Sequence, residues 1–176
     1  MHDPIETMIH EHEVISQTEE IVGKLEGLMN QDQHKYRSVV RQLLDFYRTY
    51  ADQYHHRKEE QVLFPAIVKH PDFVLDEMVE ELESHHEDFR TSLGDIEASL
   101  NNENLLESYD LLGEYLSELL DHIGAENDEL FVLAENLLEE EDLETIYFHF
   151  KDIDLELGEE QKEELEKSVE ELLSSF

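Results

Sequence analysis

Cysteine is absent from the 176-residue chain, which excludes disulfides, iron–sulfur clusters and thiolate zinc sites. Proline is scarce, at three residues, and the Thr/Val/Ile alternation and turn dipeptides of sheets are almost missing, so the chain reads as all-α. No apolar run approaches a membrane span. Residues 1–14 carry His, Asp and Glu without the basic and apolar segments of a secretory leader, so a cytoplasmic protein is expected. Basic residues are few: 12 Lys and Arg against 47 Asp and Glu give a formal charge of −35. Such a surface repels nucleic acid and anionic lipid, and neither is an expected partner. The runs Glu139–Asp142 and Glu159–Glu171 read as solvated helix faces.

What is present is helical periodicity. A hydrophobic fraction of 39% allows narrow apolar stripes rather than broad sheets. The first helix is expected from about Pro4 to Met29, with Ile5, Met8, Ile15, Val22 and Leu25 on its inner face. A second runs from about His34 to Lys69 through Val40, Leu44, Tyr47, Ala51, Tyr54 and Val62, with a kink at Pro65 and a stop at His70-Pro71. The third carries Leu75, Val79, Leu82, Phe89, Leu93, Ile96 and Leu100 and ends at Asn101-Asn102. The fourth spans about Leu105 to Leu138. Four amphipathic helices with short connections form an up-down-up-down antiparallel bundle. Residues 1–138 are therefore expected to form the bundle, and 139–176 an acidic extension of two shorter helices separated at Gly158.

Polar residues interrupt these stripes in a pattern. His12, His86 and His122 stand where an apolar residue is expected, and His55 lies one turn beyond Ala51. Glu59 and Glu126 follow His55 and His122 by four residues, on the same faces. One core histidine is ordinarily a packed, hydrogen-bonded residue. Two core carboxylates beside four core histidines require a cation, because an unpaired buried carboxylate is too costly. Measured from the connecting turns, the four histidines lie about 15 to 24 residues along their helices, which puts them within roughly one turn of one height.

The second and fourth helices also repeat each other. The run from His55 to Phe64 aligns without gaps on the run from His122 to Phe131, each reading His-x-x-x-Glu followed by Leu-Phe. Two such halves suit a two-metal site. A second register, His56 with Glu60, has the same spacing; the polar stripe before His56 and the repeat favour His55 with Glu59. His85 leaves the apolar stripe of the third helix, and His10 that of the first. His2, His34, His70 and His149 read as surface residues, and Tyr47, Tyr54 and Tyr115 as core. A ferritin-like site would need two Glu-x-x-His motifs, and only Glu83–His86 has that spacing among the inward positions.

The H-x-x-x-E-E-Q-V-L-F-P run and the H-I-x-x-E-N-x-x-L-F run resemble the haemerythrin-like HHE domain family. Within it they are most similar to the di-iron iron–sulfur-cluster repair branch, over about Ile5 to Leu138. The resemblance implies metal ligation by His12, His55, Glu59, His86, His122 and Glu126, with both glutamates bridging two non-haem iron ions. The N-terminal cysteine segment of that branch is missing, and Val132 stands where the family has Pro. Leu82 replaces a histidine found in the oxygen carriers.

Two octahedral ions offer about twelve positions. Four imidazoles, two bridging carboxylates and an oxo or hydroxo bridge leave about two open, which suits a reactive site more than an oxygen carrier. Manganese or zinc would also accept these donors. The resemblance thus implies a stress-response protein that handles O2, NO or H2O2, or that supplies iron to a damaged iron–sulfur protein. The alternative is an oxygen- or iron-binding or sensing module without catalysis.

Overall fold

Asp3 accepts a hydrogen bond from Ile5 N (2.8 Å) and opens α1 (Pro4–Ser16). Pro4 sits in the first turn, where its missing N–H has no helical partner to lose. The computed structural model describes residues 3–176; Met1 and His2, the latter read above as a surface histidine, lie outside the described residues. The helix breaks at Gln17 and resumes as α2 (Thr18–Gln31). Thr18 Oγ1 donates to the Ile15 carbonyl (2.7 Å) and accepts from Tyr47 OH (2.8 Å), so a side chain competes for the backbone at the break. The single first helix read from sequence is therefore two segments.

Asp32 caps the next rod by accepting from Lys35 N. This rod runs through α3 (Gln33–Phe46), π1 (Tyr47–His56), π2 (Glu59–Leu63) and α4 (Phe64–Val68). Pro65, the expected kink, lies in the first turn of α4, two residues after π2 ends. The third rod is α5 (Asp76–Asn101). After a turn in which Glu103 takes a left-handed φ of 62°, Asn104 caps the fourth rod. That rod comprises α6 (Leu105–Ala125), π3 (Glu126–Leu130) and α7 (Phe131–Leu137). A capping box between Glu139 and Asp142 starts α8 (Glu140–Leu157). Gly158, at φ +92°, reverses the chain into α9 (Glu159–Ser174), as its position suggested.

No strand occurs among the described residues, and the all-α bundle expected from periodicity is the observed architecture. No helix among them is long and apolar enough to cross a membrane.

The apolar residues form two separate cores. One holds Ile15, Val22, Leu44, Tyr47, Tyr54, Phe89, Leu93, Leu119 and Ile123. The other holds Ile5, Met8, Leu63, Phe64, Val79, Leu82, Leu130 and Phe131. Along each rod the two cores flank the same kind of residue: Met8, then His12, then Ile15; Tyr54, then His55 and Glu59, then Leu63. Likewise Leu82, then His86, then Phe89; and Leu119, then His122 and Glu126, then Leu130. The polar belt is thus closed by an apolar plug above and below. The C-terminal helices join both plugs, Ile146 and Phe150 packing into one and Ile153, Val169 and Leu172 into the other.

Candidate metal centre

Each π-turn lies at the belt. In π2 the Phe64 N–H bonds to the Glu59 carbonyl, and in π3 the Phe131 N–H bonds to the Glu126 carbonyl, both spanning five residues. The sequence repeat is therefore also a repeat of backbone form, each widened turn beginning at the glutamate. Such turns are rare and concentrate at functional sites. The longer π1 ends on His55 and His56. A turn closed over five residues holds more residues than the 3.6 of an α-helix, so successive side chains diverge less. Both His55 and His56 point inward, at 0% and 3% exposure.

The six residues read from sequence come together, and His56 joins them. Two overlapping clusters form: His56, Glu59, His86 and His122 in one, and His12, His55, Glu59 and Glu126 in the other, with donor atoms within 4.8 Å of one another in each. The carboxylates span both. Glu59 Oε1 lies 3.2 Å from His55 Nε2, while its Oε2 lies 3.3 Å from His86 Nε2. Glu126 Oε2 lies 3.2 Å from His12 Nε2, and its Oε1 lies 3.0 Å from His122 Nε2. Each glutamate turns one oxygen to either side.

Every histidine of the belt is held from behind through Nδ1. His12 pairs with Asn127 Oδ1 (2.7 Å), His55 with Glu11 Oε2 (2.8 Å) and His56 with Asp52 Oδ1 (3.2 Å). His86 pairs with Glu60 Oε1 (2.8 Å), and His122 with His85 Nδ1 (3.1 Å). An Nδ1–H given to such an acceptor fixes the tautomer, leaving the Nε2 lone pair for the interior. Phe131 stacks on His12 and Phe64 on His86, so the repeated Leu-Phe supplies a ring to each half.

Inside the belt the polar atoms lack protein partners. Both oxygens of Glu59 and of Glu126, with Nε2 of His12 and of His55, are buried without a hydrogen-bond partner among the described residues. The nearby N···O approaches are short but not aligned as hydrogen bonds. His86 Nε2 and His122 Nε2 stand 3.0 Å apart, and two lone pairs at that distance need a proton or a cation between them. Six orphaned donor atoms at a buried centre are what bound metal would satisfy, and imidazole with carboxylate suits iron, manganese or zinc.

The charges respond to this crowding. Burial by itself pushes the His55 imidazole down, but the Glu59 charge and the Glu11 hydrogen bond outweigh it and hold the pKa at about 10. His86 is raised likewise to about 9, Glu59 and Glu60 overcoming its burial. Burial raises the Glu59 carboxyl, and His55 and His86 more than reverse this, holding it well below the usual range. His56 goes the other way, to about 4, because burial dominates there. Metal-free, the centre keeps its carboxylates charged by keeping protons on neighbouring histidines.

Other expectations resolve simply. Glu83 is exposed, so the lone Glu-x-x-His spacing leads nowhere. His10, His34 and His149 are exposed and His70 is half-buried. Tyr47, Tyr54 and Tyr115 are core residues; the Tyr54 hydroxyl bonds Asp154, and the Tyr47 hydroxyl bonds Thr18. Sequence reasoning did not single out Glu11 and Asn127; it met Asp52 only in the polar stripe before His56, Glu60 only as a possible ligand in the second register, and His85 only as a residue off the stripe. A cleft of about 380 Å³ between α5 and α6, lined by His85, Asp88, Phe89, Glu118 and Asp121, reaches His122 from the surface.

Compared with known protein families, residues 3–134 match the family model described as "Hemerythrin HHE cation binding domain". No curated protein sequence matches the chain. No solved structure matches it either.

Proposed function

Because the chain belongs to the haemerythrin HHE cation-binding family, we propose that its belt holds two iron ions, ligated by His12, His55, Glu59, His86, His122 and Glu126 with His56 as a seventh ligand. The reading rests on one observation, the six orphaned donor atoms converging between two apolar plugs. Bound there, a non-haem iron pair supplies one-electron chemistry and a position for a small exogenous ligand such as O2, NO or peroxide.

The donor set is unequal. His56, His86 and His122 serve one side, while only His12 and His55 serve the other. Two octahedral ions offer about twelve positions. Five imidazoles and two carboxylates using both oxygens occupy nine of them, and a shared bridge would occupy two more. A single exchangeable position then falls on the two-histidine side. The protein groups around it orient the donors and exclude water: Phe131 covers His12, while Glu11 and Asn127 hold His55 and His12 from behind.

This count favours binding of one small ligand over iron donation. The sequence reading had one histidine fewer and leaned toward a more open, reactive site. The physiological setting that fits is the handling of O2, NO or peroxide under nitrosative or oxidative stress. Supply of iron to iron–sulfur proteins, which the repair-branch resemblance implies, is the second reading, favoured by the acidic cleft that reaches His122.

The test is anaerobic loading with ferrous iron, followed by metal analysis and titration with NO. Two irons and one NO per chain are expected, with Glu59→Gln and Glu126→Gln each losing iron while keeping the helical circular dichroism of the parent. A wild-type chain that takes up no metal, or variants that retain both irons, would overturn the assignment. Transfer of iron to an apo cluster protein faster than NO binding would favour the second reading.

A further inference from the structure

We propose that Asp154, on α8 outside the family match, is a positioning residue for the metal centre, fixing the His55 ring through Lys58 and Glu11; the proposal rests on the di-iron reading above. Lys58 is fully buried, and so is Glu11. A buried ammonium is tolerable only when its three N–H groups are all taken. Lys58 Nζ meets this need with Glu11 Oε1 (2.5 Å), Asp154 Oδ1 (2.7 Å) and Tyr54 OH (2.7 Å). Tyr54 OH in turn donates to Asp154 Oδ1 at 2.6 Å. The other oxygen of Glu11 accepts from His55 Nδ1 at 2.8 Å.

The chain of contacts therefore runs from α8 to a ligand of the two-histidine side. Phe150, also on α8, sets its ring 5.3 Å from Lys58 Nζ and closes the ammonium from water. Two carboxylates face this one ammonium. Asp154 offsets part of its charge, so that Glu11 keeps its negative character toward His55. Without Asp154, Lys58 is left one acceptor short, with Glu11 as its only carboxylate beside the neutral Tyr54 hydroxyl, which loosens the hold on the His55 ring. Outer partners of this kind alter metal affinity about 10- to 100-fold.

The experiment uses the full chain loaded with iron, in wild type, Asp154→Asn, Asp154→Ala and Glu166→Gln. Glu166 anchors α9 by accepting from Tyr50 OH (2.7 Å) and does not touch Lys58, so it reports on docking of the helix pair alone. Release of iron to a chelator and the midpoint potential of the iron pair are measured. Both Asp154 variants should release iron about tenfold faster or more. With Lys58 drawing more on Glu11, less negative character reaches His55, which favours the reduced, less positive ions, so the potential should rise. Glu166→Gln should match wild type in both. In a Lys58→Met background the Asp154 substitutions should add nothing, because the path is already cut.

Wild-type behaviour in the Asp154 variants, an equal effect of Glu166→Gln, or an undiminished effect in the Lys58→Met background would each overturn the proposal. A wild-type chain that binds no iron would sink the di-iron reading and this proposal together. Iron-loaded wild type with indifferent Asp154 variants would sink only this one.

Discussion

His85 Nδ1 lies 3.1 Å from His122 Nδ1, so a half-exposed imidazole holds the outer nitrogen of a buried one. The pair works only if one nitrogen donates and the other accepts. For His122 to turn its Nε2 lone pair inward, its Nδ1–H must donate and His85 Nδ1 must accept. His85→Ala removes that acceptor, and iron affinity should fall about tenfold. His149→Ala, at an exposed position, should leave affinity unchanged. Competition with a chelator measures both; equal affinities for the two variants would show that His85 does not orient His122.

His56 breaks the symmetry of the repeat, because its counterpart on the fourth rod is Ile123, which is buried and apolar. His56→Ile would give both halves two histidines. We expect it to retain the fold and to bind a second exogenous ligand per iron pair. Calorimetric titration of the iron-loaded protein with azide should then rise from about one site to about two. Unchanged stoichiometry would place His56 outside the ligand set.

Metal binding should release protons. At neutral pH the metal-free His55 and His86, with pKa values of about 10 and about 9, carry protons that a cation must displace. About two protons per chain should appear on loading, and affinity should rise with pH until about pH 10. An indicator dye in weak buffer reads the release directly. Loading without proton release would mean that the histidines do not ligate.

Asp52 should contribute acid-dependent stability. Burial raises its carboxyl, but hydrogen bonds from His56 and Arg90 outweigh burial and hold the pKa at about 2 against 3.8 for a free side chain. A depressed carboxylate stabilises the fold above the unfolded value, and the contribution disappears as pH falls through the folded one. Asp52→Asn should therefore be about 2 kcal/mol less stable than the parent near pH 6, with the gap closing toward about pH 2. Urea unfolding of the metal-free proteins across this range gives the gap; a constant difference would refute the linkage.

Helix periodicity made the bundle and the six-residue belt legible, since His12, His86 and His122 fall in apolar stripes of ordinary α-helical spacing. His56 was legible only as an alternative to His55, not as a companion to it, because a stripe drawn at 3.6 residues per turn turns one of the two away from the interior. Only the π-turns of the second rod bring it back. Glu11 and Lys58 were hidden for a different reason. Sequence offers no sign that an acid and a base beside ligands are themselves buried, and here each is paid for by partners on other helices. The first helix of the acidic extension was expected from sequence. The surface it covers could be known only from the fold.

The belt draws on all four rods while an apolar plug seals it at either end, and this has a mechanical consequence. A pair of cations held by His12, Glu59, His86 and Glu126 would act as a rivet through every helix at mid-height, joining segments that the connecting turns join only at their ends. Separating any one rod would then mean surrendering the cations. Metal affinity and resistance to unfolding become the same quantity measured in two ways.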